Sequence, residues 1–291
     1  KKMIYQFSPF LNENLILRIS ADESRNYGGT IYITESNRDF HYRPKKKNYE
    51  NKIDNVVHQF VDVKKQFVQN NLIGKLLLSR FRISSNSYKR HILRAQTWYN
   101  EAVQRNISQA PHLNITDDDI IILCDIDEIL DSKKAKMVFD AAKKYGIVTG
   151  KLYFTLFYFN LFSKNWGGAA DYSYRMFVMT GRYYKNISWS FDELRKKGEC
   201  GELMNEIHCI DDFIGFHHSW LGDEQFVENK INSYAHVTEH KGLSSKEYIQ
   251  KCMTEHKSIF PDQELEIRND INLLDSVERF RSDVETHKFF I

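Results

Sequence analysis

The apolar run Ile120-Ile121-Ile122-Leu123-Cys124 stops abruptly at Asp125-Ile126-Asp127-Glu128. A half-exposed strand alternates apolar and polar residues; an unbroken run of this length fits a strand covered on both faces, as in the parallel sheets of α/β proteins. Carboxylates placed directly after such a strand stand at its carboxyl end, the edge where open α/β sheets bind ligands. A chain of 291 residues is long enough to bury a full core in one such domain.

The flanking segments predict the same class. Met3 to Phe7 is apolar, Leu15, Ile16 and Ile19 have helical spacing, and Thr30-Ile31-Tyr32-Ile33-Thr34 follows Gly28-Gly29. This pattern predicts a βαβ unit over residues 3–34, with Gly28 or Gly29 ending the helix and the second strand parallel to the first through a right-handed crossover. A further strand is expected within Asn55–Val63, and a helix over 90–109 with Ile92, Ala95, Trp98, Ala102 and Ile107 on its apolar face and Arg94, Glu101 and Arg105 elsewhere. Segment 64–89 has no legible pattern. After the acidic cluster, Ser132 is expected to cap a helix bearing Met137, Val138 and Ala141 that ends at Gly146. Ile147–Phe159 reads as a long strand, Trp166-Gly167-Gly168 as a loop, and two helices are expected over 223–236 and 245–260, the second with a Ser244/Glu247 capping box and a stop at Pro261. The expected fold is therefore α/β, a mostly parallel sheet flanked by helices with a helical C-terminal part. A single domain over 1–291 is expected, divided into residues 1–130, residues 131–260 and a C-terminal tail (261–291).

Forty-one Lys and Arg against 39 Asp and Glu leave a net charge of +2, too balanced for a general nucleic-acid binder. No run of eighteen apolar residues and no signal peptide is present, so a cytoplasmic protein without a membrane span is expected, with the question of an anchor upstream of Lys1 left open. The spacing of Cys124, Cys200, Cys209 and Cys252 suits no zinc site, and four cysteines in this length fit a reduced protein better than a Cys200–Cys209 bridge. Aromatic residues reach 14%, enough to supply sugar-stacking faces as well as a core.

On an extended backbone the i, i+2 spacing of Asp125 and Asp127 points both side chains to one side, with Glu128 as a further oxygen donor. Mutual repulsion of such carboxylates is relieved by a hard divalent cation, Mn²⁺ or Mg²⁺, which in turn can hold a diphosphate. Arg105 and Asn106 are candidates for phosphate and nucleoside, and Asn12 and Glu13 stand where the first helix begins beyond the first strand. Gly215-Phe216-His217-His218-Ser219-Trp220 is expected to be a loop in which His217 completes the metal shell, His218 diverges from it, and Trp220 stacks on a sugar. For proton removal the first candidate is Glu224, followed by Asp223 and Asp212. Alternative readings are a metal-dependent nucleotidyltransferase or phosphohydrolase, and a non-catalytic carbohydrate-binding protein; no phosphate-cradling glycine loop of the Walker type occurs.

Taken in order, Phe10-Leu11-Asn12-Glu13, Thr34-Glu35-Ser36, Arg43-Pro44-Lys45, Gln104-Arg105-Asn106, Asp125-Ile126-Asp127-Glu128-Ile129, the Gly215–Trp220 segment and Lys230-Ile231-Asn232-Ser233-Tyr234-Ala235-His236 resemble glycosyltransferase family 17 over about residues 3–260. The chain departs from that family at Leu130, where proline is usual, and over 64–89. The resemblance implies a GT-A fold, a divalent metal held by Asp125, Asp127 and His217, and a UDP-sugar donor, UDP-GlcNAc above all, bound by Asn12, Glu13, Glu35, Arg105, Asn106 and Asp125. It also implies a carbohydrate acceptor, with Glu128, Trp166, His218 and Trp220 on the sugar side, and inversion at the anomeric carbon.

Overall fold

The computed structural model describes residues 2–50, 52–63, 85–109, 113–165, 171–200, 207–233, 245–283 and 287–291, the side chains of 85–96 and 200 excepted. Segment 64–84, Trp166 and residues 234–236 of the expected helix thus lie outside the described residues.

The βαβ unit forms as the apolar spacing requires. Strand β1 (Ile4–Phe10), helix α1 (Asn14–Asn26) and strand β2 (Gly29–Ser36) follow in order, with β1 and β2 parallel from Ile4 opposite Gly29 to Phe10 opposite Glu35. Gly28 makes the left-handed turn out of the helix (φ 75°). Strand β3 (Val56–Val61) extends the sheet beyond β2, and β4 (Ile120–Leu123) pairs with the other side of β1, all parallel. Every residue of β4 is buried: Ile120 and Ile122 pack with helix α3 (Ser132–Tyr145), and Ile121 and Leu123 pack on the opposite face with Phe7, Phe177 and Leu194. Two covered faces account for the missing polar alternation.

The remainder corrects the expectation of a mostly parallel sheet. Strand β9 (Phe177–Thr180) inserts antiparallel between β4 and β6 (Ile147–Leu156), and β7 (Leu161–Ser163), β8 (Tyr172–Ser173) and β11 (Leu265–Ile267) also join antiparallel. The Gly215–Ser219 segment, expected to be a loop, is the end of the long strand β10 (His208–Ser219), parallel to β6 on one side and antiparallel to the short strand β5 (Glu128–Leu130) on the other. Because β6 and β10 run in the same sense as β4, the ends of β1, β4, β6 and β10 all open on one edge of the mixed sheet.

Helix α2 (Ser85–Ser108) packs against β1 and β2 and against α5 (Phe191–Cys200), and it buries polar residues: Glu101 and Arg105, expected off the apolar face, are buried together with Thr97, Asn100, Gln104 and Ser108. Asp131, not Ser132, caps α3 by accepting from the Lys133 N–H at 2.9 Å, and Met137 on that helix is exposed. The short helix α4 is Gly181–Asn186. Helix α6 spans Glu224–Ser233, and α7 spans Lys246–Thr254, capped by Ser245; Ser244 lies outside the described residues. The described residues of the expected C-terminal tail, 261–283 and 287–291, pack on the rest of the fold: β11 pairs with β7, helix α8 (Asp275–Phe280) lies on α1, and Leu274, Val277 and Phe289 are buried beside Ile31 and Ile33. Among the described residues no helix is long and apolar enough to cross a membrane, and Cys124, Cys209 and Cys252 are free thiols.

Candidate functional site

A cavity of about 710 Å³ opens at the shared strand edge. Pro9, Phe10 and Leu11 reach it from the end of β1, Asp125, Ile126 and Asp127 from the segment after β4, Phe154 and Leu156 from β6, and His217 and Ser219 from β10. Arg175, just before β9, and Glu101, Arg105, Asp192, Arg195 and Glu199 from α2 and α5 form a charged wall, with Gln104 beside them; Trp220, Lys230, Phe260 and Asp262 line the cavity from the helical C-terminal part.

The acidic cluster is a turn, not the extended segment expected. The Glu128 N–H donates to the Asp125 carbonyl (3.0 Å), and the Asp125 N–H donates back to Glu128 Oε2 (2.8 Å). Asp125 and Asp127 therefore face different partners within one cavity. Asp125 meets Arg195 (2.8 Å) and Arg105 (3.4 Å). Asp127 meets Lys230 (3.0 Å) and lies 3.6 Å from His217 Nε2, its turn held to β10 by the His218 N–H donating to its carbonyl (2.9 Å). Burial pushes both carboxyls up, but the adjacent cations prevail: Arg195 and Arg105 hold Asp125 below its usual value, and Lys230 with His217 holds Asp127 well below. Glu128 is fully buried with Oε1 on Arg195 at 2.6 Å; burial pushes its carboxyl up to about 7 against the pull of that arginine. It lies beneath the cavity floor and does not line it.

The arginines are themselves fixed by further carboxylates. Arg105 donates to Glu101 and Asp192, both at 2.7 Å, and Arg175 meets Glu199 at 3.0 Å. Asn106, expected at a nucleoside, instead accepts from the Asp192 N–H at 3.1 Å and so sets the start of α5. Among the described lining residues seven carboxylates face five Arg and Lys side chains, leaving the wall two charges negative.

Of the other residues singled out from the sequence, Glu13 lines the cavity, 3.4 Å from Lys230, and accepts from the Leu11 and Asn12 N–H groups at 2.9 and 3.0 Å. Asn12 is outside the lining and caps nothing; helix α1 starts at Asn14, and Asn12 Oδ1 has no hydrogen-bond partner. Glu35 is fully buried away from the cavity, where it accepts from Lys45 (3.0 Å) and the Asn48 N–H (2.6 Å) and contacts His58 (3.0 Å). Lys45 and Asn48 also donate to the Leu11 carbonyl (2.9 and 2.6 Å), so Glu35 shapes the cavity rim at one remove. His217 and His218 diverge as adjacent strand residues must: His218 leaves the cavity and its Nδ1 meets Thr155 Oγ1 at 2.7 Å. Trp220 lines the cavity but buries most of its ring against Phe157 and Phe260 (centroids 6.2 and 5.4 Å). Its left-handed backbone (φ 59°) matches that of Phe157 (φ 65°), so the paired ends of β10 and β6 turn away together.

The three residues expected to remove a proton stand outside the cavity lining. Glu224, the first residue of α6, lies 3.7 Å from Lys246; Asp223 accepts from the Phe226 N–H at 2.8 Å as a helix cap; and half-exposed Asp212 pairs with Lys134 at 2.6 Å. Missed were Arg175, Asp192, Arg195 and Glu199, which no motif marks. The one usable signal was in α5, where Asp192, Arg195 and Glu199 recur at three- and four-residue spacing on one face.

A divalent cation fits only part of the acidic set. Asp127, Glu128 and His217 offer atoms within 4.8 Å of one another, but both Glu128 oxygens are engaged, by Arg195 and by the Asp125 N–H. Asp127 Oδ1 and His217 Nε2, 3.6 Å apart, are close enough to bind one ion at bonds of roughly 2.1 Å. No protein-family model matches the chain, and no curated protein matches it.

Proposed function

We propose that this protein is a metal-dependent glycosyltransferase of GT-A type that moves a sugar, GlcNAc in first place, from a UDP-sugar to a carbohydrate hydroxyl with inversion. The observation that carries this reading is the cavity at the carboxyl ends of β1, β4, β6 and β10, with Asp127 and His217 on its floor and Arg105, Arg175 and Arg195 beside them. Its 710 Å³ falls within the roughly 300–1,000 Å³ typical of small-molecule sites.

Charge favours a donor that arrives with a cation. A wall already two charges negative repels a diphosphate, and Mn²⁺ or Mg²⁺ on Asp127 and His217 would offset that charge and the charge building on the departing diphosphate. Lys230, whose ammonium now pairs with Asp127, would be released to a phosphate oxygen once an ion takes that carboxylate, and the guanidinium of Arg105 would supply a second fixed donor. Phe10, Phe40 and Trp98 give the cavity flat apolar surface for a base or sugar ring.

The test is a thermal-shift screen of nucleotide sugars with and without Mn²⁺, followed by product analysis. UDP-GlcNAc is expected to raise the melting temperature only with the ion present, and UDP is the expected product. Asp127→Ala is expected to abolish both effects while leaving a folded protein. Release of UMP or a sugar phosphate, or full transfer by Asp127→Ala, overturns the reading.

A further inference from the structure

We propose that Asp262 is the catalytic base, and that the acceptor sugar enters along the wall formed by Trp220 and Phe260; this rests on the transferase reading above. Six of the seven lining carboxylates already carry a cation: Glu13 and Asp127 share Lys230, Glu101 and Asp192 share Arg105, Asp125 has Arg195, and Glu199 has Arg175. A carboxylate held by a guanidinium or ammonium binds a proton weakly and is a poor base. Asp262 lines the same cavity, is exposed, and makes no ion pair or side-chain hydrogen bond among the described residues.

The backbone around it is held in place. The Asp262 carbonyl accepts from Asn165 Nδ2 (2.9 Å), the Gln263 N–H donates to the Phe260 carbonyl (3.1 Å), and the Gln263 amide bridges Ser258 (2.6 Å) and Ser163 (3.0 Å). Phe260, two residues earlier, meets Trp220. An aromatic wall next to an unengaged carboxylate suits a sugar, whose ring stacks through C–H groups while a hydroxyl reaches the acid. In the step itself the acceptor O–H gives its proton to the Asp262 carboxylate as the oxygen bonds to the anomeric carbon. The bond from that carbon to the diphosphate oxygen breaks, and the electron pair leaves with UDP.

Asp262→Asn and Asp262→Glu are compared with the unaltered protein, using UDP-GlcNAc, Mn²⁺ and a panel of methyl glycosides. The asparagine variant is expected to keep the Mn²⁺-dependent thermal shift with UDP-GlcNAc, to lose about 10²- to 10⁴-fold in kcat, and to lose the acidic limb of the rate profile. The glutamate variant is expected to regain part of the rate. An asparagine variant within threefold of the unaltered rate overturns the base assignment and leaves the transferase reading standing; so does loss of donor binding in that variant. Absence of both donor binding and transfer in the unaltered protein overturns both.

Discussion

Arg195 and Glu128 meet at 2.6 Å at the base of the cavity wall, Glu128 fully buried and Arg195 nearly so. Burying the pair is costly, and its retention is explained by Arg195 also holding Asp125 at 2.8 Å, so that one guanidinium fixes both ends of the acidic turn. Arg195→Met takes away the pull that opposes burial at Glu128, and the carboxyl, already raised to about 7, is expected to become neutral. The expected loss is about 3–5 kcal/mol, the usual result of removing one partner from a buried pair. Adding Glu128→Gln should recover part of it; urea unfolding of the two single variants and the double variant measures the coupling, and strict additivity would show that the residues act independently.

The elements bring His217 and Asp127 together through one close approach, that of β10 to β5. A Cβ on Gly215 would lie 2.1 Å from the Ile129 carbonyl oxygen, so only glycine lets the strands pair there. Gly215→Ala is expected to cost about 1–3 kcal/mol in urea unfolding and, by spreading the strands, to weaken Mn²⁺-dependent UDP binding. Destabilisation with unchanged ion dependence would show that the strand spacing does not govern the floor of the site. Local pattern made β4 and the βαβ unit legible, because continuous burial and helical periodicity are written in consecutive residues. It could not show that β9 enters between β4 and β6, since antiparallel insertion depends on pairing between distant segments. The site divides in the same way. Asp125, Asp127, Arg105 and His217 were legible from their place after strands or in the ordered motifs. Asp192, Arg195 and Glu199 were not, because charged residues in an amphipathic helix read as solvated; the burial of Arg195 depends on Asp125 and Glu128 of the acidic turn, and that of Asp192 on Arg105 of α2. The loop expected at Gly215–Trp220 failed for a related reason: paired histidines look polar, yet β10 lies between β5 and β6 with both faces covered.

For the whole molecule, that burial makes stability depend on pH. Burial, with His217 adjacent, pushes His218 down to about 3 from an ordinary value of 6.5, and burial also lowers His217 despite the attraction of Asp127. Between those values the unfolded chain takes up a proton at His218 that the folded chain refuses, so stability is full above about pH 6.5 and is lost as pH falls toward 3. The slope from this one residue approaches about 1.4 kcal/mol per pH unit. Asp125 and Asp127 act in the same direction at lower pH, since both are held below their usual values and their contribution disappears only as they become protonated. His218→Phe keeps the ring contact with Phe216, 5.2 Å away and nearly parallel, and removes the titration. It also leaves the Thr155 hydroxyl without its 2.7 Å partner, a cost that does not vary with pH, so the slope and not the absolute stability is diagnostic. In urea unfolding of the metal-free protein between about pH 6 and 4.5, the stability of the variant relative to the parent should rise by nearly 1.4 kcal/mol per unit of acidification. A constant difference over that range would mean that His218 exchanges protons as freely in the folded protein as in the unfolded chain.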